Sequence, residues 1–124
     1  MGLSMLEESR CTEMTSRPLH EQELELVQAL VGASFNEPKP EIQANARVTQ
    51  MDDGGMGSIR FTYSDPQPMA RGISEALYTD SDGVLVSINL NVDSKGRLFE
   101  LDFWKVDFSP LKRYPRPGDL LFTS

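Results

Sequence analysis

The chain has 124 residues, 39% of them hydrophobic and 25% charged, with a formal net charge of −7. That length holds one domain, and that balance belongs to a folded globular chain and not to a disordered one. The acidity argues against a nucleic-acid partner, since phosphate binding rests on Lys and Arg, and a single Cys and a single His leave neither an intramolecular disulfide nor the usual ligand set of a structural zinc.

Residues 1–16 show neither helical nor strand periodicity and read as a flexible N-terminal tail, followed by a single α+β domain over 17–124. The opening "MGLSMLEESR" lacks the basic and then apolar layout of a secretory signal, and Leu6 stands where a myristoylation motif needs Ser or Thr. No apolar run approaches the roughly 18 residues that span a bilayer. With Cys11 as the lone cysteine, a cytoplasmic protein that keeps off membranes is the simplest expectation.

"RPLHEQELELVQALVGAS" predicts a helix. Pro18 stands before its start, Glu21, Glu23 and Glu25 sit where the dipole favours acids, and Leu24, Val27, Leu30 and Val31 share a face. Leu19 is placed to staple the entry turn. His20 occupies the capping position, a better account of it than general-base chemistry, for which no Ser or Cys partner is in sight. Gly32 and the Pro-rich "NEPKPE" mark the stop.

The remainder reads as strands and tight turns. "ANARVTQM" (44–51) and "SIRFTY" (58–63) alternate around "DDGGMG", which lacks the Lys-Ser/Thr ending of a phosphate loop and is accounted for as a hairpin turn. After the break "SDPQP", "ISEALYT" (73–79) turns through "DSDG" into "VLVSINLNV". There Val84, Val86, Ile88, Leu90 and Val92 face one way and Ser87, Asn89 and Asn91 the other, the pattern of a half-buried antiparallel strand. "DSKG" turns again into "LFELDFWKVDFSPL". The expected fold class is α+β: one N-terminal helix packed on an antiparallel meander sheet of about five strands.

The last strand carries the candidate site. Phe99, Leu101 and Phe103 fall on one face, with Glu100 and Asp102 opposite. Beyond Phe103 the apolar set becomes Trp104, Val106 and Phe108, and the charged set Lys105 and Asp107. A β-bulge near Phe103–Trp104, or a sheet covered on both faces, would explain that slip. Neighbouring carboxylates can do acid–base work by pushing their pKa values apart. Acids at i and i+2 are more commonly a solvated face, and no substrate-positioning shell accompanies them.

Three strings together, "RPLHEQELELVQALV", "DDGGMGSIRF" and "DGVLVSINLNVDSKGRLFELDFWKVDFSPLKRYP", resemble a family of small, functionally unassigned bacterial proteins with a C-terminal L-F-E-L-D-x-W-K-x-D-F-S-P-L motif. The resemblance covers roughly residues 17 to 115, and His20 departs from it where such sequences more often have Ser or Thr. It implies no catalytic residues, metal or cofactor. In size and makeup the family is similar to the cytosolic immunity proteins that neutralise bacterial toxins, an analogy of type.

The reading that results is a non-enzymatic cytosolic binding protein, with an immunity-type inhibitor as the form to test. It would engage a basic protein partner through an acidic sheet surface made of Glu100, Asp102, Trp104, Lys105 and Asp107. The alternatives are a small-ligand module or weak hydrolase using Glu100, Asp102 and Asp107, and a stand-alone housekeeping domain in which the motif only folds.

Overall fold

The computed structural model describes residues 16–34 and 38–123. The expected tail, with Cys11 in it, lies outside the described residues but for Ser16. Within them one helix, α1 (Glu21–Ala33), packs on an antiparallel sheet of seven strands. These are β1 (Arg17–Pro18), β2 (Arg47–Gln50), β3 (Ile59–Phe61), β4 (Met69–Thr79), β5 (Leu85–Asp93), β6 (Leu98–Lys105) and β7 (Leu121–Thr123). The expected five strands are present; the two-residue β1 and three-residue β7 extend the sheet at its edges, giving seven in place of about five. The spatial order is β1-β2-β3-β6-β5-β4-β7. Two runs of neighbouring strands, β1-β2-β3 and β4-β5-β6, are thus joined through β3 and β6, so the sheet is not one continuous meander.

The turns form where their chemistry demands. Gly83 and Gly96 adopt φ of 80° and 78° in the β4–β5 and β5–β6 turns, a region a side chain disfavours. Asp80 and Asp93 begin these turns, each accepting at its carbonyl the N–H of the glycine three residues on, at 2.8 and 2.9 Å.

The core lies between α1 and one face of the sheet. Val86, Ile88, Leu90 and Val92 of β5 are fully buried, as the alternation of that strand predicts, and each contributes roughly 1.5–3 kcal/mol relative to an exposed position. From α1 the buried positions are Glu23, Leu26, Val27 and Leu30, an i, i+3, i+4, i+7 stripe. The stripe is therefore rotated from the expected one: Leu26 is central, while Leu24 and Val31 are only half-buried.

Glu23 can stand in that stripe because its charge is matched. Arg17 donates to both carboxylate oxygens at 2.8 and 2.9 Å, and the His20 N–H donates to Oε1 at 2.8 Å, completing the helix entry. Burial pushes this carboxyl up, but Arg17 and the His20 N–H outweigh burial and hold it below the usual carboxylate range. At the other end Lys39 donates from Nζ to the carbonyls of Val31, Gly32 and Ser34, so a side chain, and not Gly32, closes the helix.

Candidate functional site

Strand β6 is central, between β3 and β5, so each of its faces looks along rows of cross-strand neighbours. Leu101 pairs with Leu90, Phe103 with Ile88 and Lys105 with Val86, all turned to the core. The intervening residues form the opposite face: Glu100 beside Asn91, Asp102 beside Asn89, and Trp104 beside Ser87. Among the described residues no helix lies on that face, since α1 packs on the other.

The alternation runs unbroken from Glu100 to Lys105. The one register shift along β5 and β6 falls between Asn91 and Val92, opposite Phe99, and not near Phe103–Trp104. Phe99 is the extra residue there, and its ring lies under the Arg60 guanidinium, 4.9 Å from centroid to Cζ. The apparent slip in the sequence has another cause. Trp104 is turned outward and Lys105 inward, the reverse of what polarity suggests.

Lys105 is therefore corrected as a partner-contacting residue: its side chain is fully buried. Its ammonium donates to Asp80 at 2.8 Å, Asp82 at 2.7 Å and the Pro110 carbonyl at 3.0 Å, filling all three donor positions. Asp80 is as deeply buried and accepts three further bonds, from the N–H groups of Ser81, Lys112 and Arg113. Burial pushes the Asp80 carboxyl up, yet Lys105 and the three N–H donors hold it down at about 2. The result ties the end of β6, the β4–β5 turn and the 110–113 segment into one corner.

The glycine-rich turn 52–57 docks on the same corner. Leu111 donates its N–H to the Gly55 carbonyl at 3.1 Å, and the Lys105 N–H points at the Met56 sulfur at 3.2 Å. Asp53 organises the turn from within by accepting the N–H groups of Met56 and Ser58. Its carboxylate does structural work, in keeping with a hairpin turn and not a phosphate loop.

Glu100 and Asp102 differ from Asp80 in lacking such support. Burial raises both carboxyls above their ordinary values. The neighbouring Asp102 charge raises Glu100 further, and Arg60 at 3.8 Å only partly opposes it. At Asp102 the Ser58 hydroxyl, 3.4 Å away, opposes burial, while Asp53 adds to the rise. Asp107 lies outside this row. It stands in the turn after the strand, where Ser109 donates to it from both N–H and hydroxyl and holds it below the usual range.

Trp104 is half exposed, at 52%, and touches Phe108, with ring centroids 5.4 Å apart and planes at 60°. Leu85 and Val106, adjacent on the same face, are also exposed. The reading from sequence picked out the strand and its acids but missed Phe108, Asp80 and Asp82. The available signal was a lysine that strict alternation places among core residues.

Elsewhere, a cleft of about 480 Å³ is lined in part by Arg47, Tyr63 and Arg97. Its two arginines are already engaged: Arg47 donates to Ser16, and Arg97 binds Asp65 and Asp93 while lying 3.9 Å over the Tyr63 ring. Among the described residues no group of three or more His, Cys, Asp or Glu is arranged to hold a metal ion, and no helix is long and apolar enough to cross a membrane.

A family model described as a domain of unknown function, DUF6984, matches residues 16–115. The chain belongs to this family. The matched range agrees with the span over which the sequence resembles an unassigned family. It takes in β1 to β6, the buried corner and the 52–57 turn docked on it, and it stops before β7. No curated protein and no solved structure matches the chain. What a DUF6984 domain does must therefore be argued from its surface.

Proposed function

We propose that the chain is a non-enzymatic binding protein that engages a basic protein partner on the sheet face opposite the helix, as an immunity-type inhibitor would. The observation that supports this reading is the pair Glu100 and Asp102: half-buried carboxylates on a face that α1 leaves open, both raised in pKa, with Arg60, 3.8 Å from Glu100, as the one counter-charge paired with them among the described residues. Acids that only solubilise a surface stand free in water and keep ordinary pKa values. Here a lysine or arginine from outside would supply the charge that burial leaves unmatched. Of the residues first considered, Glu100, Asp102 and Trp104 make up the surface, Asp107 lies at its rim, and Lys105 supports it from behind.

The test is quantitative affinity capture from the native cell with wild-type chain and with Glu100→Lys/Asp102→Lys, both confirmed to be folded. A basic protein enriched by the wild type and lost with the charge reversal is the expected result. Equal recovery by both forms counts against the reading. The hydrolase alternative also has the raised carboxyls in its favour. It is weaker because Asp107, its third member, is turned to Ser109. Asp102→Asn, which removes the titratable group, would abolish any turnover found under that alternative.

A further inference from the structure

Resting on that binding reading, we infer that the anchor of the surface is the Trp104–Phe108 pair and that its occupant is a cationic amphipathic segment of a partner protein. Apolar side chains of that segment cover the two rings, and its Lys or Arg side chains run along the acids beside them. The first support is the exposure of the rings, 52% for Trp104 and 63% for Phe108, although they touch each other. Aromatic side chains of this kind carry much of the energy at protein interfaces.

The second support is the backbone of Phe108. Its φ of 64° lies in the left-handed region, where a side chain costs roughly 1–2 kcal/mol and Gly or Asn is the usual occupant. Other groups impose this conformation. The Phe108 N–H donates to the Lys105 carbonyl at 2.9 Å, Asp107 accepts from Ser109, and the buried Lys105 ammonium holds the Pro110 carbonyl. The fold thus keeps a large apolar ring in a strained position and in water, where glycine would serve the turn better. A ring presented this rigidly loses little freedom when a partner covers it.

Charge complementarity selects the occupant. The row Leu121–Leu77–Ser87–Trp104 continues the apolar surface across β7, β4, β5 and β6. The next row is Thr123–Glu75–Asn89–Asp102, and the one beyond it contains Glu100. An apolar row beside an acidic row matches a segment with apolar and basic residues on one side. A second copy of this chain, with its net charge of −7, would bring acids against acids.

Trp104 is the single tryptophan, so its fluorescence reports this surface directly. The probes are three synthetic peptides of equal length, alternating Leu/Lys, Leu/Glu and Ser/Lys. The Leu/Lys peptide is expected to blue-shift the emission saturably and shield Trp104 from acrylamide, and Phe108→Gly should weaken that binding about tenfold or more. The melting temperature of Phe108→Gly should be unchanged or raised, because glycine takes this φ without strain. The inference is overturned if Leu/Glu or Ser/Lys acts as well as Leu/Lys, if Leu/Lys gives no shift, or if Phe108→Gly destabilises the chain and leaves the affinity intact. A blue shift that grows with protein concentration without peptide, and is lost in Phe108→Gly, would overturn the choice of occupant in favour of a second copy. In the capture experiment, loss with the acid reversal but not with Phe108→Gly sinks this inference alone. Retention by both variants sinks the binding reading with it.

Discussion

The Lys105 ammonium lies 2.8 Å from an Asp80 carboxylate oxygen, and both side chains are fully buried. Such a pair earns stability only when every remaining donor and acceptor is satisfied, because desolvating two ions offsets most of their attraction. Here Asp82, the Pro110 carbonyl and three backbone N–H groups meet that condition. The pair fixes the 110–113 segment against the end of β6, and so sets the backbone on which Phe108 stands.

Removing Lys105 leaves the buried Asp80 without its counter-charge, and removing Asp80 leaves the buried ammonium with only the partly exposed Asp82. Asp80→Asn and Lys105→Met should each lower the melting temperature by roughly 10 °C or more. The double substitution should lose clearly less than the sum of the two, since it leaves neither fully buried ion unmatched and only the partly exposed Asp82 loses its counter-charge. Thermal denaturation of the three variants measures this coupling, and strict additivity would mean that the charges act independently.

Acid should weaken the same corner. Asp80 is held at about 2, below the ordinary value near 4 that it regains on unfolding. Its contribution is therefore complete above about pH 4 and lost as pH falls from about 4 toward 2. Asp65 is also held at about 2, by Arg97 and Lys95, but it is half exposed, and solvent screens that contribution. Denaturant midpoints between pH 5 and pH 2 should fall steeply for the wild type and much less for Asp80→Asn.

Glu100 and Asp102 carry the opposite sign. Their folded pKa values are raised, so what they contribute is present at low pH and lost as pH rises through those values. Glu100→Gln and Asp102→Asn should therefore raise the melting temperature at pH 7 by a few degrees, with the gain disappearing near pH 3. If these variants also lose partner capture, the two carboxylates hold function at the expense of stability. A loss of stability at pH 7 would show that Arg60 and Ser58 match the charges better than burial opposes them.

Tyr114 gives an independent check on the core. Its ring packs on Phe103 with centroids 5.5 Å apart, and its hydroxyl is buried without a hydrogen-bond partner among the described residues. Burial also pushes its pKa well above the ordinary value. Tyr114→Phe removes an unsatisfied group and keeps the ring, so it should be neutral or stabilising by about 1 kcal/mol. A loss of that size, read from chemical denaturation, would mean that the hydroxyl is bonded in solution.

The legible parts of this fold are those whose residues obey a local rule. β5 alternates from Val86 to Val92, the glycine turns announce themselves, and the helix entry carries its acids and its proline. The edge strands Arg17–Pro18 and Leu121–Thr123 are too short to show a period. The junction of β3 with β6 is decided by pairing across the chain, which no local pattern encodes. Lys105 misleads for a related reason. A lysine is placed outside unless its partners are known, and here they lie 25 and 23 residues away in a turn that reads as ordinary. Once Lys105 is inside, Glu100, Asp102 and Trp104 fall on one face without any slip. The acids Glu100 and Asp102 were legible on one face of the strand, whereas the inward turn of Lys105 and the outward turn of Trp104 were not.

The contact between the 52–57 turn and the 108–111 segment can be tested at neighbouring glycines. Gly54 and Gly55 both have positive φ, 75° and 83°, so an alanine at either meets the same backbone penalty of roughly 1–2 kcal/mol. Their surroundings differ. A Cβ on Gly54 would meet nothing within 4 Å, whereas one on Gly55 would stand 3.3 Å from the Pro110 Cβ, beside the bond from Leu111 N–H to the Gly55 carbonyl. Gly55→Ala should therefore cost measurably more than Gly54→Ala in urea denaturation. The excess reports the docking of the two segments, because the backbone term cancels between the variants. Since that docking also positions Phe108, Gly55→Ala should weaken Leu/Lys peptide binding, and Gly54→Ala should leave it unchanged. Equal costs at the two glycines would mean that the segments sit together without either depending on the other.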